Sequence, residues 1–163
     1  MKLSIYRITQ DLKKCIGCQA CEVHCLINKG VFSEIKICEI IPSEIKILEN
    51  KVEQNFFFIT CFHCERPLCV EACPTGAMQK RKKDGIVFVD RSLCIGCKNC
   101  IEACPWGIPQ YDPETGTIVK CDLCMDRLDQ GLMPACVTKC TTHALKLSST
   151  KEISESKKRK LLK

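Results

Sequence analysis

The stretch CIGCKNCIEACPWG, residues 94–107, decides the fold. Its cysteines, Cys94, Cys97, Cys100 and Cys104, are separated by two, two and three residues, and Pro105 follows the last. Outward from here the arrangement recurs. Cys15, Cys18, Cys21 and Cys25 repeat the same spacing. Cys61, Cys64, Cys69 and Cys73, followed by Pro74, stretch the middle gap to four residues. Cys121, Cys124, Cys136 and Cys140 stretch it to eleven, with MDRLDQGLMPA inserted. Four related blocks in one sequence mark a repeated supersecondary unit.

The spacing carries chemistry. A [4Fe-4S] cube needs four thiolates in a tetrahedral array, and cysteines at i, i+3 and i+6 on a curled loop reach three corners. In two-cluster ferredoxins the fourth cysteine of such a run ligates the other cluster. The proline after it re-aims the chain. Gly17 and Gly96 sit inside the loops, where a missing Cβ would let backbone approach inorganic sulfide. Structural zinc is the competing reading. It favours C-x2-C pairs set far apart, which suits only the fourth block, and three thiols per loop crowd a single zinc. A zinc-binding interaction module therefore stays as the remote alternative.

The bulk composition agrees. Of 163 residues, 17 are cysteine, a density of disulfide scaffolds or metal proteins. Disulfides need an oxidising compartment, and MKLSIYRITQDLKKC has neither an apolar h-region nor a twin-arginine pair, so a cytoplasmic location is expected. No run of 18 apolar residues exists, so no direct membrane span is predicted. The formal charge of +6 treats every cysteine as neutral. Four oxidised clusters with their thiolates, about −2 each, bring the loaded protein to roughly −2, which removes the basic balance as a signal for nucleic acid. No nucleophile–base pair, phosphate loop or open metal site is evident, so no catalytic residue is assigned.

The sequence resembles the four-cluster ferredoxin-type electron-transfer subunits of dimethyl sulfoxide reductase and formate dehydrogenase type. CFHCERPLCVEACPTGA (61–77), CIGCKNCIEACPWGIPQYD (94–112) and KCDLCMDRLDQGLMPACVTKCTTHAL (120–145) carry the resemblance, which covers roughly residues 5–147. It implies that block one pairs with block four, and two with three. Cys15, Cys18, Cys21 and Cys140 would hold cluster 1. Cys61, Cys64, Cys69 and Cys104 would hold cluster 2, and Cys94, Cys97, Cys100 and Cys73 cluster 3. Cys121, Cys124, Cys136 and Cys25 would hold cluster 4. Some relatives have tryptophan in place of one block-three ligand; Cys100 is present here, so four [4Fe-4S] clusters, with iron bound through sixteen cysteines, are implied. Cys25 and Cys140 depart from the pattern, being followed by Leu26 and Thr141 instead of proline.

The implied fold is α+β, with two ferredoxin-like pseudo-repeat lobes of short strands, short helices and long loops wrapped around the clusters. Residues 1–54 and 111–148 would form lobe A, 55–110 lobe B, and 149–163 a charged tail that is either frayed or a docking helix. LSIYRIT, DGIVFVD, GTIVKC and ALKL read as strands, and CEVHCLIN and CKNCIEAC as short helices. EIKICEIIPSEIKILENKVEQNFFFIT reads as an insertion of two or three β-runs. Cys38, outside every block, is expected to be a buried inert thiol. His63 is expected to hydrogen-bond a cluster thiolate or backbone, and His24 and His143 to tune a cluster or face solvent. Trp106 is expected to be a hydrophobic lid, and KRKK (80–83) a solvated hairpin tip.

The functional expectation is a one-electron wire. Its partner would be the catalytic subunit of an oxidoreductase, of molybdenum or tungsten pterin type such as formate dehydrogenase or aldehyde oxidoreductase, with a second redox subunit or ferredoxin at the other end. A carbon monoxide dehydrogenase or hydrogenase complex, or a free soluble polyferredoxin, is the alternative.

Overall fold

The computed structural model describes residues 6–32 and 34–161. It is an α+β structure built from short pieces: five two-stranded antiparallel sheets and short helices, with no larger sheet among the described residues. In order these are β1 (Tyr6–Gln10), α1 (Ala20–Lys29), β2 (Glu39–Pro42), β3 (Lys46–Leu48), β4 (Lys51–Glu53), β5 (Phe56–Ile59), α2 (Leu68–Glu71), β6 (Met78–Lys80), β7 (Val87–Val89), a 3-10 turn (Arg91–Leu93), α3 (Asn99–Glu102), β8 (Gln110–Asp112), β9 (Thr117–Val119), α4 (Met125–Asp129), α5 (Ala135–Thr138), β10 (Leu145–Ser149) and α6 (Thr150–Lys160).

Pairing ties distant blocks together. β1 runs antiparallel to β10, with Tyr6 opposite Ser149 and Gln10 opposite Leu145, so the strand before block one lies against the strand after block four. A hydroxyl pair, Thr9 Oγ1 and Ser148 Oγ at 2.7 Å, joins them on one face. The Leu3–Ile5 part of the strand expected from the sequence lies outside the described residues. The β6–β7 hairpin, with Met78 opposite Val89, separates blocks two and three, and β8–β9 separates three and four. Between β6 and β7, Gly85 at φ 74 closes the turn by donating its N–H to Arg81 O at 2.8 Å.

The insertion has four strands, more than the two or three runs read from sequence. β2 pairs with β5, across residue 54, and β3–β4 forms an outer hairpin with Ile47 and Val52 exposed. Glu22 of α1 holds this insertion by accepting the Ile40 N–H at 2.5 Å. Gln10 brackets β5, donating to Phe56 O at 2.8 Å and accepting from Phe58 N–H at 2.9 Å.

The helices are short because cysteine loops and prolines interrupt them. α1 and α6 are the exceptions, and α1 ends in a left-handed Gly30 whose N–H returns to Ile27 O, the usual glycine stop. α6 starts with a capping box, Ser149 and Glu152 each satisfying the other's backbone N–H. The tail is therefore helical from Thr150, and it rests on β10.

Three core clusters are mixed, apolar and thiol. Cys25, Val31, Ile37, Cys38, Val119 and Cys121 form one. Cys69, Met78, Val87, Cys100 and Ile118 form a second, and Cys21, Ile40, Cys136 and Leu145 a third. Each buried Met78 or Ile118 contributes roughly 1.5–3 kcal/mol by leaving water, but cysteines make up nearly half of the buried cluster residues.

Candidate functional site

All four C-x-x-C loops share one backbone device. The residue before the second cysteine has a positive φ in every block: Gly17 at 69°, His63 at 46°, Gly96 at 68° and Leu123 at 54°. The left-handed turn curls the loop, and backbone N–H groups then face sulfur. His63 N–H donates to Cys61 Sγ and Leu123 N–H to Cys121 Sγ, both at 3.4 Å. A side chain in that conformation is strained, and His63 and Leu123 are each only 1% exposed, so burial offsets the strain. The two glycines also meet a need set by the protein itself. A Cβ on Gly17 would lie 2.4 Å from the Phe56 ring, and on Gly96 2.4 Å from Gly116 O. Their missing Cβ therefore makes room for neighbouring protein as well.

The block ends repeat a second device. Three residues after Cys73, Cys104 and Cys140 stand Gly76, Gly107 and His143, all left-handed, each donating its N–H back to the cysteine carbonyl. The backbone then returns and gives N–H bonds to sulfur: Met78 to Cys73 at 3.3 Å and Ala144 to Cys140 at 3.2 Å. Ile118 N–H reaches Cys94 Sγ at 3.4 Å, and Asn28 Nδ2 reaches Cys124 Sγ at 3.6 Å.

The structure brings cysteines of different blocks together. Cys25, Cys121, Cys124 and Cys136 line one cavity, and Cys73, Cys94, Cys97 and Cys100 line another. Cys15, Cys21 and Cys140 pack in one core cluster, and Cys18 Sγ lies 3.3 Å from the Thr141 hydroxyl. Cys69 is close enough to Cys61 and Cys104 to feel both electrostatically. Cys38 also lines the cavity of Cys25, donates weakly to Cys21 O at 3.6 Å, and is buried. Among the described residues no three His, Cys, Asp or Glu side chains converge closely enough to hold a single ion. The thiols rim spaces, as ligands of a multi-iron cube do.

Electrostatics divide the thiols in two. Burial pushes Cys21 and Cys121 up to about 12, and Cys69 and Cys100 up to about 11. Burial also raises Cys124 and Cys136. Such thiols keep their protons at neutral pH until a metal displaces them. Burial opposes ionisation at Cys73 and Cys140 too, but the N–H and hydroxyl donors around each outweigh it and lower both thiols. Cys25 is lowered chiefly by a hydrogen bond from Cys38, which is raised in turn.

The remaining singled-out residues also have places. His63 Nδ1 accepts the Val87 N–H at 3.0 Å, the backbone bond expected of it, while its Nε2 is buried without a partner. His24 is half-buried and His143 exposed. Trp106 is 59% exposed and meets Phe62 edge-on at 5.1 Å. The KRKK segment is pinned, not simply solvated: Lys80 donates to Cys64 O and Glu65 O, and Arg81 pairs with Asp84 and with Asp129 of α4. Sequence reasoning also passed over Lys29, whose Nζ meets Asp122 at 2.6 Å and joins α1 to block four.

Backbone N–H groups aimed at sulfur, and cysteines of different blocks lining shared cavities, mark an iron–sulfur protein of the electron-transfer class. The polypeptide belongs to the 4Fe-4S dicluster domain family, whose model matches residues 52–150. It is 42% identical over 151 residues to the thiosulfate reductase electron transfer subunit PhsB of Salmonella typhi, an alignment covering 90% of its own length and 77% of the relative's. It is 40% identical over 150 residues to the B subunit of the anaerobic dimethyl sulfoxide reductase of Escherichia coli K12, covering 88% and 73%. It is 39% identical over 152 residues to YnfG of the same strain, a probable anaerobic dimethyl sulfoxide reductase subunit, covering 89% and 74%. The cofactors that fit the sequence are four [4Fe-4S] clusters. No helix among the described residues is long and apolar enough to cross a membrane.

Proposed function

We propose that the sixteen block cysteines hold the clusters in the sets Cys15, Cys18, Cys21, Cys140; Cys121, Cys124, Cys136, Cys25; Cys61, Cys64, Cys69, Cys104; and Cys94, Cys97, Cys100, Cys73. One observation carries the reading. A single cavity is lined by three cysteines of block four and Cys25 of block one, the cross-supply that the sets require. Mutual influence among thiols supports the rest. Cys100 feels Cys73, Cys94 and Cys97, and Cys21 feels Cys140.

The same neighbourhoods order the sets. Cys136 feels Cys21, Cys121 feels Cys61, and Cys69 feels Cys100. The sequence of sites is then cluster 1, cluster 4, cluster 2, cluster 3. Residues 1–54 and 111–148 form lobe A around the first two. Residues 55–110 form lobe B around the others, with β5 reaching back to β2. Residues 149–163 carry α6. The exposed thiols, Cys18 and Cys97, lie at the two ends of this order, and Ile16 and Ile95 beside them are 63% and 67% exposed. Those two loop tips are where electrons enter and leave.

When bound, the clusters supply one-electron chemistry. The protein's own residues fix their spacing, keep water from the inner thiols and set potentials through N–H bonds to sulfur. The partner is the catalytic subunit of a reductase of molybdenum or tungsten pterin type. The names of the relatives, a thiosulfate reductase electron transfer subunit and a dimethyl sulfoxide reductase subunit, support a sulfur-compound reductase over the other oxidoreductases.

Anaerobic purification from the native host tests this. The expected result is about sixteen irons per polypeptide and a large co-purifying pterin-binding subunit. Zinc in place of iron would refute the ligand sets. Iron without a stable partner would refute the subunit role in favour of a free ferredoxin.

A further inference from the structure

Lys120 stands immediately before Cys121 and is 5% exposed. Its Nζ donates to the carbonyl oxygens of Val87, in β7, and of Cys121, the latter at 2.6 Å. Among the described residues it forms no ion pair, although Asp122 two residues on is engaged by Lys29. A buried ammonium without a counter-charge is costly, and two carbonyl dipoles compensate it only in part. What the protein lacks at this point is anionic charge.

The surroundings show where that charge comes from. Val87 gives its carbonyl to Lys120 and its N–H to His63 Nδ1, and His63 N–H binds Cys61 Sγ. Lys120 thus closes a bridge from Cys61 of block two to Cys121 of block four. Resting on the ligand sets above, we infer that Lys120 is a fixed positive charge at the junction between clusters 4 and 2, balancing both and raising the reduction potential of each. Reduction adds negative charge to a cluster, so a nearby buried cation favours the reduced form. One cation shared by two sites lifts both and keeps them level across the junction between lobes. Lys120 touches no reacting atom by this reading and acts as a positioning residue.

The test is an EPR-monitored redox titration of the anaerobically purified holoprotein. The unmodified protein is titrated first, with iron counted. Fewer than four cluster couples there would refute the ligand sets, and this inference with them. With four couples present, Lys120→Met is expected to shift the reduction equilibrium of two clusters about tenfold toward the oxidised form, 59 mV for a one-electron couple. The other two should stay in place, and Lys120→Arg should restore the pair to within about threefold, roughly half that potential shift. No movement, or an equal movement of all four, would overturn the role. Lys120→Gln, which keeps a donor for one carbonyl, serves if the methionine variant loses iron. Loss of iron in both would make Lys120 a structural tie and equally overturn it.

Discussion

Gly96→Ala is the substitution whose cost the structure defines most sharply. Gly96 lies in the loop of Cys94 and Cys97 with φ +68, and an added Cβ would meet Gly116 O at 2.4 Å and Tyr111 Cε2 at 3.2 Å. The left-handed backbone costs an alanine about 1–2 kcal/mol. The collision adds an overpacking cost of about 1–3 kcal/mol, because the obstructing atom is backbone and cannot rotate away. Gly131 isolates the first contribution, since it has φ +74 and nothing within 4 Å of where a Cβ would stand. The two variants should therefore differ by the collision alone. At about 1.36 kcal/mol per tenfold in rate, that is about five- to 160-fold. Cluster loss on denaturation is irreversible, so the quantity to measure is a rate. Visible absorbance followed anaerobically in guanidinium should bleach that much faster in Gly96→Ala than in Gly131→Ala. Equal bleaching rates would refute the packing role assigned to this glycine.

Other perturbations separate roles that lie close in space. Cys38→Ala should keep all the iron and cost about 1 kcal/mol as a small core truncation, whereas Cys25→Ala should lose a cluster; iron counts falling in the first and not the second would exchange the two assignments. Arg81→Ala should destabilise by about 3 kcal/mol, because the buried Asp84, 7% exposed, loses its half-buried partner and α4 loses its tie to the β6–β7 hairpin; unchanged resistance to guanidinium would contradict this. Removing iron with a chelator should abolish near-ultraviolet circular dichroism and open the protein to protease, because the core clusters are part thiol; native-like protease resistance without iron would show that the apolar residues suffice.

Much of the fold is legible because cysteine spacing is local. The four blocks, the β1, β7, β9 and β10 strands and the helices at α1 and α3 follow from short patterns. Other features are set by contacts that no short pattern records. Gly17 and Gly96 advertise left-handed turns, but His63 and Leu123 take the same turn without glycine, and only aligning the four C-x-x-C loops reveals that they occupy the same position. The KRKK segment reads as solvated because, beside the local Asp84, its second acidic partner, Asp129, lies 48 residues from Arg81, beyond any local pattern. The S-T-K-E sequence at 149–152 carries the capping-box signal, yet the polar composition after it left the tail open between frayed and helical. Lys120 is silent in sequence, since a lysine beside a cysteine is ordinarily a surface residue.

The mixed cores have a consequence for how such a protein lives in a cell. Nearly half of the buried residues in its three core clusters are cysteines, and no sheet among the described residues exceeds two strands. Isolated two-stranded ribbons are marginal in water, so a newly made polypeptide has little to condense around before mineral arrives. Its survival against proteolysis is then set by the supply of assembled clusters. In starved cells the steady-state abundance of this protein should fall without any change in its transcription, and the wire would be dismantled before an enzyme could be built around a dead one.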